Sequence, residues 1–354
     1  MRKRVVVIEG EDAAPEAMRP TLALLGRMGL PIDWLRPPVG EAALRSHGTT
    51  FPDEARRAID SADATLFGAT SGPSQPALLH LRWGRGAYAN VRPVRFWPGC
   101  RSPLARPDGI DLVVVRENLE DLYAGAEGEL SELAASGLEA RYLRRRVADL
   151  APGRYAIKVI TVAGTERIVR FACELARRRK ASGRPGKVTT GTKHNVLPRS
   201  DGLFREVFLR VAKDYPDLAF ESFLADDLAR RFVASPHDLD VVVLANLYGD
   251  LFSDLAAGVV GGLGLAPSGC YGDDAAYFEP AHGTAPDLAG KHSINPTATI
   301  LSAAMLLEYL GFGAEARRLE RAVEAVYAEG SWLTPDQGGR ATSEELCRAV
   351  ADRL

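Results

Sequence analysis

Cysteine is scarce: Cys100, Cys173, Cys270 and Cys347 are the four in 354 residues, far apart and without a CxxC pair. That scarcity excludes a disulfide framework and a cysteine zinc site, and it points to a reducing cytosol. Neither sign of charge is in excess, with 44 basic residues against 46 acidic ones and a formal net charge of -2. Such a balance removes the electrostatic reason to expect nucleic acid or an anionic membrane as partner. The basic clusters at Arg144 to Arg146 and Arg177 to Lys180 read as solvated faces. Long apolar runs are also missing; the longest, Leu255 to Pro267, is too short and too glycine-rich to span a bilayer. The opening MRKRVVVIEG enters a strand pattern without an apolar signal region, so a cytoplasmic protein is expected. The nucleotide fingerprints GxGxxG and GxxxxGK do not occur, and there is no internal repeat, heptad or low-complexity linker.

What remains suits a large α/β protein. An apolar content of 46% can build a full core over two domains or one large unit. Short β-branched runs at Val5 to Ile8, Ala64 to Phe67, Leu112 to Val115, Ala156 to Ile160 and Val241 to Leu244 alternate with helical patterns. Helices are expected over Pro15 to Met28, Val162 to Arg179 and Asp201 to Lys213, and Thr342 with Glu345 forms a capping box for a last one. Strands alternating with helices imply a mainly parallel sheet covered on both faces. The Pro- and Gly-rich stretches Arg92 to Gly109 and Gly183 to Gly186 read as loops, the first as a crossing between domains. A return crossing is expected near residue 260, giving one domain from 1–90 plus 261–354 and another from 91–260. The charged stretch Gly125 to Arg154 is either an arm reaching toward a partner or a surface insertion.

In NLYGDLFSDLAAGVVGG, residues 246–262, Asp250 and Asp254 stand four apart and so share one helix face. Two neighbouring carboxylates repel each other, and a divalent cation, a lysine or open water would relieve them. Asp226 in FLADDLARR adds a carboxylate on a second helix, and with substrate oxygens the three would suit Mg²⁺ or Mn²⁺. Arginines gather in LLHLRW (Arg82), YANVRPVR (Arg92) and VVVRENLEDLYAG (Arg116). Arg116 follows a strand, at the edge where open α/β sheets bind ligands, and converging guanidiniums would hold a di- or tricarboxylate, although taken singly each reads first as a surface ion pair. Tyr123 could donate a proton beside them, and Lys193 in TTGTKHNVLPRSDGLF lies between strand and helix, where a lysine can act as base or proton relay. The glycine-rich FEPAHGTAPDLAGKHSINPT, residues 278–297, allows close backbone approach to a ligand and carries Asp287.

Taken together, NLYGDLFSDLAAGVVGGLGLAPS, YANVRPVR, VVVRENLEDLY, TKHNVL and EPAHGTAPDLAGKHSINPTATILSAAMLLE resemble the isocitrate/isopropylmalate dehydrogenase family, the metal-dependent β-decarboxylating dehydrogenases, from the first strand to about Leu310. The resemblance implies a two-domain fold with a largely parallel sheet and a non-Rossmann dinucleotide site, in keeping with the missing GxGxxG. It implies that Asp250 and Asp254, with Asp226 from a partner subunit, hold Mg²⁺ or Mn²⁺. By the same resemblance Arg82, Arg92 and Arg116 hold the carboxylate that is later lost. Tyr123 and Lys193 are the implied catalytic pair, the lysine crossing from the partner of a homodimer with shared active sites. Asp287 matches the aspartate with which NAD-using members hold the adenosine ribose; a carboxylate accepts from both hydroxyls but repels a 2′-phosphate, so NAD is expected. Asn295 would contact the adenine, with His282, Gly283, Thr284 and Ala285 as the adjoining backbone loop.

Two places depart from the family pattern. The family's GDGIGPE loop reads GEDAAPE here, Gly10 to Glu16, with two glycines and an isoleucine replaced, which puts the dinucleotide contact in question. In SQPALLHLR, the paired Leu78 and Leu79 are similar to those of isopropylmalate dehydrogenases and would receive an alkyl group, whereas RENLEDLYAG looks more like the isocitrate version of its block. A 3-alkylmalate such as 3-isopropylmalate is the expected substrate, with isocitrate, homoisocitrate, tartrate or malate as alternatives. A non-catalytic regulatory subunit is the competing reading from another class.

Overall fold

The computed structural model describes residues 2–354 and is built on one 10-stranded sheet. Across it the strands run Ala219–Leu224, Lys187–Thr192, Val241–Leu244, Asp111–Glu117, Ala89–Arg95, Pro267–Tyr271, Ala276–Pro280, Ala64–Phe67, Lys3–Ile8 and Ile32–Leu35. Both flanks pair in parallel, and only the central neighbours of Ala89–Arg95 and Pro267–Tyr271 pair antiparallel. Strands from the two ends of the chain lie together on one flank, and those from residues 89–244 on the other. Val241–Leu244 reads VVVL because every residue in it is fully buried, as a parallel strand covered on both faces requires.

Each flank has its own apolar core. Helices Ala14–Arg27, Thr297–Tyr309, Gly313–Glu329 and Ser343–Ala351 pack on Val5, Leu66 and Phe278. Helices Val162–Ala181 and Ser200–Ala212 pack around Val113, Val188 and Val241. Their starts follow local chemistry: Pro15 opens the first helix, and Thr342 and Glu345 form the reciprocal capping box of the last.

Three expectations need correction. Ala156 to Ile160 is not a strand of the main sheet; Arg154–Ala156 pairs with Glu127–Glu129 in a small separate ribbon, and Val159 makes a single bridge to Asp121. Its apolar run is interrupted by Lys158, whose ammonium turns inward to Asp201 at 2.5 Å. The Arg92 to Gly109 stretch does not start as a loop, because YANVRPVR continues a central strand through Arg95, with Pro93 opposite Val113. Arg179 does not lie on a solvated face. It donates to the fully buried Asp240 at 2.6 Å and to the Asp111 carbonyl at 2.9 Å, tying its helix to two strand ends. The segment between 125 and 154 forms two short ribbons with short 3₁₀ turns and is mostly exposed, including Leu138, Tyr142 and Leu143. No helix among the described residues is long and apolar enough to cross a membrane.

Candidate active site

The strand Val241–Leu244 ends directly before helix Asn246–Val260, and Leu244 is in register with Arg116 at the end of the next strand. This carboxyl edge gathers the charged residues. Arg116 is only 3% exposed; its Nε donates to Asn246 Oδ1 at 2.9 Å and its Nη1 to Asp250 Oδ1. Arg92, also buried, donates to Ser253 Oγ at 2.7 Å and Asp254 Oδ1 at 2.9 Å, while its Nε has no partner among the described residues. Arg82 reaches in from the π-helical turn His80–Gly84, donating to the Asn118 carbonyl at 2.8 Å and Asn246 Oδ1 at 3.3 Å. Tyr123 lies under two of these guanidiniums, 4.9 Å from Arg116 and 5.4 Å from Arg82, and its hydroxyl donates to Asp250 Oδ2 at 2.6 Å.

The helix reaches Arg116 this closely because residue 249 is glycine. A Cβ there would fall 2.6 Å from both Cβ and Cγ of Arg116, inside any real contact distance.

Electrostatics follow from three guanidiniums and two carboxylates sharing one pocket. Burial, with repulsion from Arg92 and Arg82, drops the Arg116 pKa to about 10. Burial alone would raise Asp250, but Arg116, the Tyr123 hydroxyl, Arg92 and Arg82 together hold it below the ordinary carboxylate value. Asp254 moves the other way: burial and the neighbouring Asp250 charge outweigh Arg92 and raise it. Burial, then the bond to Asp250, raises the Tyr123 phenol, keeping it in the proton-donating form.

Lys193 and Asp226 stand apart from this group. The lysine follows strand Lys187–Thr192, its backbone N–H donates to Asp201 Oδ2 at 2.6 Å, and its ammonium meets Asp226 Oδ1 at 2.5 Å. None of their hydrogen bonds reaches Asp250 or Asp254 among the described residues, and no three His, Cys, Asp or Glu side chains converge as a metal site within one chain. Leu78 packs partly against a local core, while Leu79 is exposed on the helix Gln75–Leu79 that leads to Arg82.

The glycine-rich segment meets the GEDAAPE loop directly. The Ala13 N–H donates to the Thr284 carbonyl at 3.1 Å, Ser71 and Thr284 hydroxyls lie 3.3 Å apart, and Glu16 accepts from Gly290 N–H at 2.5 Å and His292 N–H at 2.6 Å. The replaced glycines do not unmake the turn, since Asp12, not an alanine, takes the left-handed position at φ 53, one that aspartate tolerates. His282 Nδ1 contacts the Gly283 carbonyl at 2.8 Å, and its buried Nε2 has no partner among the described residues. Gly283 and Ala285 continue that loop, and Asp287 is exposed on the turn Pro286–Leu288. Asn295 points inward, its amide bonded to Tyr327 Oη at 3.1 Å and Asp336 Oδ2 at 2.9 Å and its carbonyl oxygen to Thr297 N–H at 3.0 Å, so in this geometry the side chain is committed within the protein.

Sequence reasoning passed over Asn246, Ser253 and Glu279. Asn246 was discoverable, because 246, 250 and 254 recur every four residues on one helix face. Burial pushes Glu279 up to about 7 against the pull of Arg92, Arg82 and Arg116, and nothing in its sequence neighbourhood signalled this.

Comparison with known proteins agrees with this architecture. The model of the isocitrate/isopropylmalate dehydrogenase family matches residues 4–353. The chain is 42% identical over 351 residues to a 3-isopropylmalate/3-methylmalate dehydrogenase of Methanocaldococcus jannaschii, covering 99% of this chain and 98% of that one. It is also 42% identical over 361 residues to an isocitrate/homoisocitrate dehydrogenase of Thermus thermophilus, covering 100% and 99%. The crystal structure of isocitrate dehydrogenase from Methylococcus capsulatus superposes with a TM-score of 0.86 at 35% identity, covering 100% of this chain and 99% of the other. The chain belongs to the isocitrate/isopropylmalate dehydrogenase family and is an oxidoreductase by that membership.

Proposed function

We propose that the protein carries out NAD-dependent oxidative decarboxylation of a 2-hydroxy diacid, with a 3-alkylmalate such as 3-isopropylmalate as substrate. The observation that carries this reading is the convergence of Arg82, Arg92 and Arg116 on Tyr123 and the Asp250–Asp254 pair. The guanidiniums outnumber the carboxylates, so the pocket has cationic capacity for an anionic acid. A subunit relaxed to a non-catalytic role would be expected to have lost at least one of Arg82, Arg92, Arg116, Tyr123, Lys193, Asp226, Asp250 and Asp254, and all are present.

The donor set fits a hard divalent cation such as Mg²⁺ or Mn²⁺: Asp250 and Asp254 carry carboxylates one turn apart, and burial, then the Asp250 charge, raises Asp254, a cost that a bound cation would relieve. A third carboxylate, Asp226, is exposed on helix Ala225–Ala234; because it and Lys193 bond to each other and not to Asp250 or Asp254 of their own chain, we assign both to the site of a second copy. On this reading the working assembly is a homodimer with shared sites. For the dinucleotide, the unpartnered His282 Nε2 is a fitting acceptor for an adenine amine, and the exposed Asp287 for ribose hydroxyls in preference to a 2′-phosphate. Buried, unpaired cysteines suit a cytoplasmic setting.

Bound NAD would accept the hydride and a bound cation would polarise the substrate oxygens. The chain's own part is to clamp the departing carboxylate with Arg82, Arg92 and Arg116. Lys193, acting as the free amine and through water, would take the hydroxyl proton, and Tyr123 would return a proton to the enol left after CO₂ departs. Leu78 and Leu79 offer apolar surface to the alkyl group; the RENLEDLYAG block and the Thermus relative favour isocitrate or homoisocitrate as the second reading. The test is NADH formation from 3-isopropylmalate, isocitrate, homoisocitrate, tartrate and malate, with NAD or NADP and with Mg²⁺ or Mn²⁺. Preferred turnover of the alkylmalate with NAD is expected; turnover of none of the acids overturns the reading.

A further inference from the structure

Arg116 and Glu117 are consecutive on one strand, so they face opposite ways. Arg116 enters the charged cluster; Glu117, only 3% exposed, turns away from it. Its carboxylate makes no ion pair among the described residues. It folds forward onto the chain that follows, accepting from Leu119 N–H at 3.1 Å and 3.0 Å and from Glu120 N–H at 2.8 Å. Closing the turn this way aims three successive carbonyls outward. The Asn118 carbonyl accepts from Arg82 Nε at 2.8 Å, that of Leu119 from the Trp83 indole at 3.3 Å, and that of Glu120 from Asn246 Nδ2 at 3.0 Å. Asn246 then presents its oxygen to Arg116 and Arg82 together. The base of the turn is pinned separately, by Asn118 to the Tyr88 and Ala87 carbonyls.

We propose that Glu117 is a positioning residue for the substrate-binding arginines, its carboxylate holding residues 118–120 in the one turn whose carbonyls orient Arg82 and Asn246. It touches no substrate; it acts through the peptide groups of its own turn. The substrate-binding part of the inference rests on the function proposed above, whereas the geometry of the turn does not. The same turn sets the electrostatics of the carboxyl. Burial raises the Glu117 carboxyl to about 7, against the Glu120 and Leu119 N–H groups; the charges that face it are Glu120 on the same turn, which raises it, and Arg167 of helix Val162–Ala181, which lowers it. A protonated carboxyl is a poorer acceptor for these N–H groups, so the turn loosens as pH falls below neutrality.

Two measurements test this, and one needs no catalysis. The Trp83 indole N–H, identified by its loss in Trp83→Phe, reports the turn through its bond to the Leu119 carbonyl. In the unsubstituted protein its resonance or fluorescence should titrate across neutrality; in Glu117→Gln, which has the same shape but no ionisation, it should not. In steady-state kinetics, Glu117→Gln should raise KM for the acid about tenfold while kcat changes less than about threefold, the loss expected when a ground-state clamp is misaligned. Its kcat/KM should also lose the acid limb seen in the unsubstituted protein. A Trp83 signal that does not titrate in the unsubstituted protein, or that titrates identically in the variant, overturns the proposal even if the variant folds poorly. So does a variant of lower melting temperature with unchanged KM. If no acid is turned over by the unsubstituted protein, the functional reading fails while the Trp83 titration still decides the role of Glu117.

Discussion

Gly249→Ala sets two effects of opposite sign against each other inside one helix. On propensity alone, alanine in place of glycine in a helix interior stabilises by about 1 kcal/mol. Here the new Cβ would sit 2.6 Å from Arg116 Cβ and Cγ and 3.0 Å from its Cα, so helix or strand must yield until the contacts pass about 3.4 Å. Overpacking of that kind costs roughly 1–3 kcal/mol, which exceeds or cancels the propensity gain. The expected net effect is a loss of about 1 kcal/mol, seen as a lower urea midpoint. The functional effect should be larger. Opening the gap displaces the Arg116 guanidinium by up to about 1 Å, and misplacement on that scale costs on the order of a hundredfold in kcat/KM. Gly26, exposed near the end of helix Ala14–Arg27 with nothing within 4 Å of an added Cβ, is the control. Gly26→Ala should leave activity intact and stabilise by about 0.4–1 kcal/mol. The reasoning is refuted if Gly249→Ala is as stable as Gly26→Ala and keeps full kcat/KM.

Other consequences are quicker to check. Asn246→Ala removes the shared acceptor of Arg82 and Arg116 and should cost about 2–4 kcal/mol in urea unfolding and raise KM for the acid, while Asn246→Asp, which keeps the acceptor, should be milder. All four cysteines are buried, and burial lifts each thiol to about 12, so a thiol-specific dye should label the native protein hardly at all and the unfolded protein at all four positions. Glu117 and Glu279 hold protons up to about 7 in the folded chain but release them near 4.5 when unfolded. Their contribution to stability is therefore greatest below the unfolded value and is lost as pH rises through the folded one. Urea midpoints measured on either side of that window should show the fall, and Glu117→Gln should make it smaller.

The sequence carried much of this architecture because patterning and local chemistry agreed. VVVL could only be a strand covered on both faces, Thr342 and Glu345 could only cap a helix, and the spacing of Asp250 and Asp254 placed them on one face. Where it misled, a long-range partner outweighed the local signal. Arg179 looks like a solvated cation until Asp240, far along the chain, takes its charge inward, and Lys158 within its strand-like run turns to Asp201. AIKVI has strand composition, yet its start pairs with Glu127–Glu129 in a separate ribbon and Val159 makes only a single bridge to Asp121. The inward bonds of the Asn295 amide to Tyr327 and Asp336, both from later elements, were likewise not legible. Glu117 and Glu279 gave no sign of themselves, since a raised carboxyl pKa depends on three-dimensional burial and leaves no trace in the order of residues.

The separation of Lys193 and Asp226 from the Asp250 cluster leads to a decisive mixing experiment. If one site uses Asp250, Asp254 and Tyr123 of one chain with Lys193 and Asp226 of another, then Lys193→Ala and Asp250→Asn each abolish both sites of a homodimer. A hybrid dimer distributes the defects unequally. One site receives both substitutions, and the other receives neither, because the chain with a damaged Lys193 still supplies Asp250 and its partner still supplies Lys193. With random pairing of equal amounts, half the dimers are hybrids with one sound site of two, so about a quarter of the unsubstituted activity should return. The mixture is unfolded and refolded together so that pairing is random. Sites complete within a single chain predict no recovery under any mixing protocol, and that outcome would remove the homodimer with shared sites from the proposed function while leaving the arginine cluster untouched.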